Sequence, residues 1–377
     1  MFFTAIMNKQ IKSRIEDLVF YHTAFKNRYK DGANDLQKGH SKGLAINEDQ
    51  KETILAFWSR YLINRETRHS FDIRWFDIYN KANLFGFELK YYIPDSFLYC
   101  VVDPFFSDYR SAQAVDDKNL YDLLFYDVKQ PRTVCRKIHD SFLDPSYRII
   151  SEERAIDLCR DCGKVIIKPA IDTCAGAGLI KWDRQSDEED SLKQAFHSDR
   201  SLVIQEYIEQ HPDLSAFNPS CVNTLRLITL FFEGRVYLLS SAVIMGGENA
   251  VTNHLHRGGL ICGILENGRL RPVAFDGRLN QYERHPNGII FSECCIPGYS
   301  ECVDIVKRIA PRMSQTSKLI SWDFTIDRSG NPVLIETNLS WGGSIQLATG
   351  PLLGDLTPEV FDYMLKKGMR RLSSKNR

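Results

Sequence analysis

LISWDFTIDRSGNPVLIETN, residues 319–338, constrains the fold more than any other stretch of this chain. Two apolar runs flank Asp327-Arg328-Ser329-Gly330-Asn331, where a glycine supplies the positive φ that a tight turn needs, so the stretch reads as an antiparallel hairpin. Side chains of a strand alternate between faces. Glu336 and Asn338, two apart, therefore point the same way, and Asp323 on the paired strand can lie opposite them. Two carboxylates and an amide oxygen, with no His or Cys nearby, suit a hard cation such as Mg²⁺, which takes few protein ligands and completes its shell with water and substrate phosphates. The competing reading is a solvent-facing polar stripe, and Val333, Leu334 and Ile335 weigh against it by placing the strand in a core.

The same texture recurs. Strands are expected at 164–170, 178–182, 201–208, 223–232, 235–245, 319–327 and 331–338, with a second tight turn at Phe232-Glu233-Gly234-Arg235. Helical spacing marks Lys9 to Tyr29, Glu48 to Asn64, Asp72 to Asn83, SEERAIDLCRDCG, DSLKQAFH and YSECVDIVKRIAPRM. The class is α+β with antiparallel sheets and flanking helices. Residues 1–95 form a helix-rich N-terminal lobe whose aromatic stripes read as core rather than as a cofactor box.

The 377 residues carry 48 basic and 48 acidic side chains, so no basic excess selects nucleic acid or an anionic membrane. Asn8, Lys9 and Lys12 interrupt the N-terminal apolar run, and no segment approaches a membrane span, which leads to the expectation of a cytoplasmic protein. Ten cysteines, several inside apolar runs, suit reduced core thiols, and Cys159-Arg-Asp-Cys162 has no second CxxC to complete a zinc site.

VIIKPAIDTCAGAGLIKW, residues 165–182, raises a sharper question. GAG is followed by another strand, so the three-glycine dinucleotide fingerprint is missing, and no Gly-Lys-Ser/Thr completes a P-loop. By itself the stretch is a glycine hairpin. Lys168, near the end of its first strand, needs an anionic partner if buried.

Taken together, these pieces resemble the ATP-grasp superfamily, and within it the branch associated with sugar transfer and polysaccharide gene clusters. The resemblance runs over roughly residues 95–355 and rests on DDKNLYDLLF, VIIKPAIDTCAGAGLIKW, LVIQEYIEQHP, SCVNTLRLITL, HRGGLICGI and SWDFTIDRSGNPVLIETNLSWGGSIQLATGPLLGD. It implies two α+β subdomains clasping ATP, 96–204 with a glycine flap and 205–377 with the magnesium site. By the same resemblance, Lys118 and Lys168 bind phosphates, and the Gly176–Gly178 turn covers the triphosphate. Gln205, Glu206, Tyr207 and Ile208 form the hinge at the adenine edge, and Asp213 meets the ribose. Asp323, Glu336 and Asn338 hold magnesium, and Arg226 contacts the transferred phosphoryl group, unless it is a core-edge arginine in a structural ion pair.

Some ligases of the superfamily carry an arginine two residues before the first magnesium aspartate. Ser321 stands there in this chain, leaving Arg226 or Arg257 to supply the charge. On the substrate side, His254, His256 and Arg257 precede a Gly-Gly turn, while Trp341, Ser344 and Gln346 follow the magnesium strand. The implied cofactors are ATP and Mg²⁺. The implied activity is ATP-dependent ligation of a small-molecule carboxylate to an amine through an acylphosphate, with a sugar acid or surface-polysaccharide precursor as one partner. The alternatives are an ATP-grasp kinase acting on a hydroxyl and a noncatalytic ATP-binding module.

Overall fold

The computed structural model describes residues 42–108, 115–171, 178–247, 258–339 and 343–369, with a few isolated positions between them. The helix expected over Lys9 to Tyr29 lies outside the described residues apart from isolated positions.

Among the described residues thirteen strands build two sheets, and every pairing between them is antiparallel. The first holds β1 (Thr133–Ile138), β2 (Ser141–Leu143), β3 (Ile149–Ile150), β4 (Lys164–Pro169), β5 (Ile180–Asp183) and β6 (Leu202–Glu206), in the order β3-β2-β1-β6-β4-β5. The second holds β7 (Thr224–Phe232), β8 (Arg235–Met245), β9 (Leu260–Ile264), β10 (Leu270–Asp276), β11 (Gln281–Tyr282), β12 (Leu319–Ile326) and β13 (Pro332–Asn338), in the order β11-β10-β9-β8-β7-β12-β13. Both expected tight turns are present. Phe232 pairs with Arg235 across a two-residue turn in which Glu233 (φ 47°) and Gly234 (φ 80°) are both left-handed, the geometry that matches strand twist. At the other turn Asp327 accepts from the N–H groups of Ser329 and Asn331.

Alternation along each strand separates two kinds of surface. In the first sheet Val134, Cys135, Val165, Ile167, Leu202 and Ile204 bury against the helices Glu152–Cys162 and Glu189–Phe196. In the second, Leu225, Leu227, Trp322, Phe324 and Leu334 share a core with the helix Tyr299–Met313, and the Trp322 indole donates to Thr229 Oγ1 at 2.8 Å. The other face of that sheet, carrying Ile228, Leu230, Ala242 and Ile244, packs on the helices Glu48–Trp58, Trp75–Ala82 and Thr357–Lys367.

The N-terminal lobe thus shares one hydrophobic core with the second sheet. Trp58 is fully buried there, with the rings of Phe71, Phe97 and Phe361 at centroid distances of 5.2, 4.9 and 5.3 Å, and its N–H donates to the Lys90 carbonyl. The expected helix Glu48 to Asn64 ends earlier, at Trp58, because Asn64 starts a new helix, Arg65–Ser70, through a capping box with Thr67.

Candidate active site

One row of paired residues crosses the second sheet: Gly263, Ala242, Arg226, Asp323 and Glu336, on β9, β8, β7, β12 and β13 in turn. A β-bulge makes the row possible. Asp323 pairs with Glu336 but its neighbour Phe324 pairs with Leu334, so Ile335 is the extra residue. Strict alternation would put Leu334 and Glu336 on one face; the bulge sends Leu334 into the core beside Phe324 and leaves Glu336 beside Asp323. Asn338 lies opposite Ser321, one repeat along the same face.

Arg226 binds Asp323 in a two-pronged ion pair, Nε to Oδ1 at 2.9 Å and Nη2 to Oδ2 at 2.7 Å. Burial works against the Arg226 charge, and the Asp323 carboxylate outweighs it, so the guanidinium is held in its charged form. The charge near Asp323 therefore comes from the adjacent strand, not from the position of Ser321, whose buried hydroxyl has no partner. Asn338 Nδ2 donates to Asp323 Oδ2 at 3.1 Å, which turns its own Oδ1 away with no hydrogen bond among the described residues.

Two lysines stand on the side of the first sheet, Lys168 on β4 and Lys118 on a turn bonded to the chain just beyond it. Lys118, 8% exposed, starts the short turn Lys118–Leu120; its N–H bonds to the Ala170 carbonyl, just beyond β4, and its Nζ lies 3.6 Å from Glu336 Oε2. Lys168 is half-buried on β4 and makes no hydrogen bond or ion pair among the described residues. Burial pushes its pKa down to about 8; the Glu336 charge opposes this shift and the Lys118 charge adds to it. The Tyr121 hydroxyl ties the short helix Tyr121–Leu124 to β13, accepting from the Thr337 N–H at 3.1 Å and meeting Thr337 Oγ1 at 2.9 Å, between Glu336 and Asn338. Tyr121 was not among the expected residues: an aromatic on a short helix gives no signal in sequence that its hydroxyl is structural.

The hinge residues end β6. Gln205 donates to the Pro131 carbonyl, while its buried Oε1 has no partner. The Glu206 carboxylate is engaged by the Arg132 N–H and Nε at 3.1 and 3.0 Å, and the N–H groups of Glu206 and Tyr207 go to the carbonyls of Arg132 and Lys164. Tyr207 lies between Lys164 and Lys181, 5.2 and 5.0 Å from its ring. The Ile208 N–H has no protein partner among the described residues. Asp213 stands exposed on the short helix Pro212–Ser215, beside His211.

Gly176, His254, His256, Arg257 and Trp341 lie outside the described residues. Gly178 is left-handed at φ 79°, and a Cβ there would come within 3.0 Å of Pro169. Asn253 donates to Thr224 Oγ1 at 2.9 Å, on the strand and face that carry Arg226, so the chain preceding His254 reaches this row. Ser344 is half-buried at the start of the helix Ile345–Thr349. Gln346 corrects an expectation. It is fully buried and its amide is used by Ile93 and Leu352, so it ties the N-terminal lobe to the second sheet and is not open to substrate.

The profile of the sugar-transfer associated ATP-grasp family matches residues 103–360. This chain belongs to that family. No curated protein matches it. Among solved structures it is similar to D-alanyl-alanine synthetase A from Vibrio cholerae, with 15% identity, 69% of this chain and 62% of that chain covered, and a TM-score of 0.35. It is also similar to the ATP-grasp ligase PsnB in complex with a minimal precursor, with 13% identity, 68% and 62% covered, and a TM-score of 0.38. The L-amino acid ligase from Bacillus licheniformis follows at 12% identity, 70% and 49% covered, and a TM-score of 0.37. The chain thus spans under two thirds of the length of each.

The ATP-grasp donor set passes a chemical test for magnesium. Asp323, Glu336 and Asn338 present only oxygens, and Asn338 Oδ1 is left free by the bond its amide nitrogen makes. Among the described residues no group of three or more His, Cys, Asp or Glu side chains could hold a metal. Among the described residues no helix is long and apolar enough to cross a membrane.

Proposed function

We propose that this ATP-grasp protein is an ATP-dependent ligase that joins a carboxylate to an amine through an acylphosphate. The observation that carries the reading is the position of Lys118, whose Nζ lies 3.6 Å from Glu336 Oε2 beside the Arg226–Asp323 pair and whose N–H bonds to the Ala170 carbonyl just beyond the strand that carries Lys168. Lysines from one side and oxygen ligands from the other are what a triphosphate needs.

In this reading Lys118 and Lys168 neutralise the phosphates, the Gly176–Gly178 turn covers them, and the free Ile208 N–H meets the adenine edge within Gln205–Ile208. Asp213 takes the ribose. Mg²⁺, held by Asp323, Glu336 and Asn338, would draw charge from the transferring phosphoryl group. A carboxylate oxygen of the substrate attacks the γ-phosphorus and ADP leaves. The amine nitrogen then attacks the acyl carbon, inorganic phosphate departs with the bonding pair, and the nitrogen loses a proton. Arg226 keeps Nη1 without a protein partner among the described residues, and this donor can face the phosphoryl oxygens. No protein nucleophile is required. His254, His256, Arg257, Trp341 and Ser344 are assigned to the acceptor side, with Trp341 as a stacking surface for a sugar-linked substrate. Its need for ATP places the protein in the cytoplasm.

Incubation with ATP, Mg²⁺ and pools of sugar acids and amines, read by mass spectrometry, tests the reading: an amide with ADP is expected. A phosphate ester would replace it with a kinase. Lys168→Ala and Glu336→Gln should abolish turnover in folded protein; normal turnover in both would sink the site assignment.

A further inference from the structure

Three unfavourable features meet around the segment that carries Lys118. Arg136, on β1, is fully buried. Asn119, next to Lys118, is also fully buried, and neither its amide oxygen nor its nitrogen has a partner. Tyr147 adopts φ 61°, the left-handed region that a bulky aromatic rarely enters. Folding alone gives no reason to keep all three in one place, and unsatisfied polar groups and backbone outliers that persist together mark a functional constraint.

Their contacts show what is being held. Arg136 Nε donates to the Asn119 carbonyl at 3.2 Å, Nη2 to Asp122, and Nη1 to the carbonyls of Asp144 and Pro145 at 3.3 and 3.1 Å. Its guanidinium lies 4.0 Å from the centroid of the Tyr147 ring. The Tyr147 hydroxyl sits 2.8 Å from the same Asn119 carbonyl and 2.5 Å from Asp122 Oδ1, one proton facing two acceptors. The left-handed turn at Tyr147 is what delivers the Asp144 and Pro145 carbonyls to Arg136 while folding the ring over it. Arg136 also pairs through Val203 with Lys168: Arg136, Val203 and Lys168 form one row across β1, β6 and β4.

We infer that Arg136, supported by Tyr147, is a positioning residue for nucleotide phosphate binding, clamping the Asn119 carbonyl so that the Lys118 ammonium stands beside Glu336 and the Lys168 strand. The inference rests on the proposed ATP-binding reading. Arg136 gives four of its five N–H donors to carbonyl and carboxylate groups of the protein, and its role is to hold the segment of Lys118 rather than to meet phosphate. Its effect must therefore pass through Lys118.

That dependence gives the test. Affinity for MgATP is measured by isothermal titration, with AMP, which lacks the β- and γ-phosphates, as the control in competition. Arg136→Lys should weaken MgATP by about tenfold and Tyr147→Phe by about threefold, with AMP little changed. On a Lys118→Ala background neither substitution should weaken MgATP further, because the group they position is gone. Losses that multiply with Lys118→Ala, or that fall equally on AMP, would overturn the inference and leave Arg136 a structural residue of the sheet. Tyr147→Phe keeps the question decidable where Arg136→Lys does not fold. A wild-type protein that binds no MgATP sinks the nucleotide reading itself, whereas binding that Lys118→Ala weakens and the Arg136 cycle leaves additive sinks only this inference.

Discussion

The two sheets contribute charge in opposite ways. In the second, the Arg226 cation is matched at once by Asp323 in a two-pronged pair within one row of the sheet, and Asn338 braces the same carboxylate. On the side of the first sheet, Lys168 has no hydrogen bond or ion pair among the described residues, and Lys118, on the turn that bonds to Ala170, lies 3.6 Å from Glu336. The paired charges are complete without a ligand. Burial has pushed the Lys168 pKa down to about 8, so the Arg226–Asp323 pair is settled within the protein while Lys168 carries a charge that no hydrogen bond or ion pair among the described residues meets.

That contrast can be broken experimentally. Asp323→Ala strands a buried Arg226 and should lower stability by about 3–5 kcal/mol in denaturant unfolding, while an Arg226→Met, Asp323→Leu double substitution should recover most of it without restoring turnover. A loss under about 1 kcal/mol for Asp323→Ala would mean that the pair is no better buried than a surface bridge. Lys168→Met should behave differently, leaving the fold at least as stable yet weakening MgATP binding, since it deletes a desolvated cation with no hydrogen bond or ion pair among the described residues.

The smallest effect is a pH dependence. Lys168 loses its proton in the folded protein as pH rises through about 8, below the ordinary lysine value of 10.5, so the unfolded chain binds more protons across that interval. Its unfavourable effect on stability is therefore full below about 8 and fades as pH climbs toward 10.5. Phosphate binding needs the charged form. MgATP affinity should fall as pH is raised through about 8, with proton uptake detectable as a buffer-dependent heat of binding, and both should vanish in Lys168→Met. A flat profile would show that the two sheets do not differ in this respect.

Much of the second sheet was legible because its strands announce themselves. β7, β8, β12 and β13 are long apolar runs closed by glycine turns, and their antiparallel pairing follows from those turns, although a bulge rather than strict alternation sets Asp323 opposite Glu336. β1, β2 and β3 were not foreseen: TVCRKI places a buried Arg136 and Lys137 in mid-strand, and charged residues there read as loop until their partners are known. The helix Thr357–Lys367 escaped for a different reason, since its apolar residues are matched to Trp58, Tyr61 and Phe97 some three hundred positions earlier in the chain. Among candidate site residues, the β12–β13 set could be named from type and spacing, while Lys118 and the phosphate role of Lys168 came from the family resemblance. Tyr121 and Arg136 could not, because their contribution lies in which backbone groups they reach.

The sequence by itself determined the antiparallel hairpins, the α+β class, the family resemblance and the chemical types gathered for phosphate and magnesium, because these follow from local periodicity, turn chemistry and residue identity. Only the tertiary structure decided that the bulge at Ile335 turns Glu336 toward Asp323, that Arg226 and Asp323 form one unit, and that Lys118 reaches Glu336 from a turn bonded to the end of the Lys168 strand. Register, bulges and the meeting of two sheets depend on contacts between residues distant in the chain, and no local pattern encodes them.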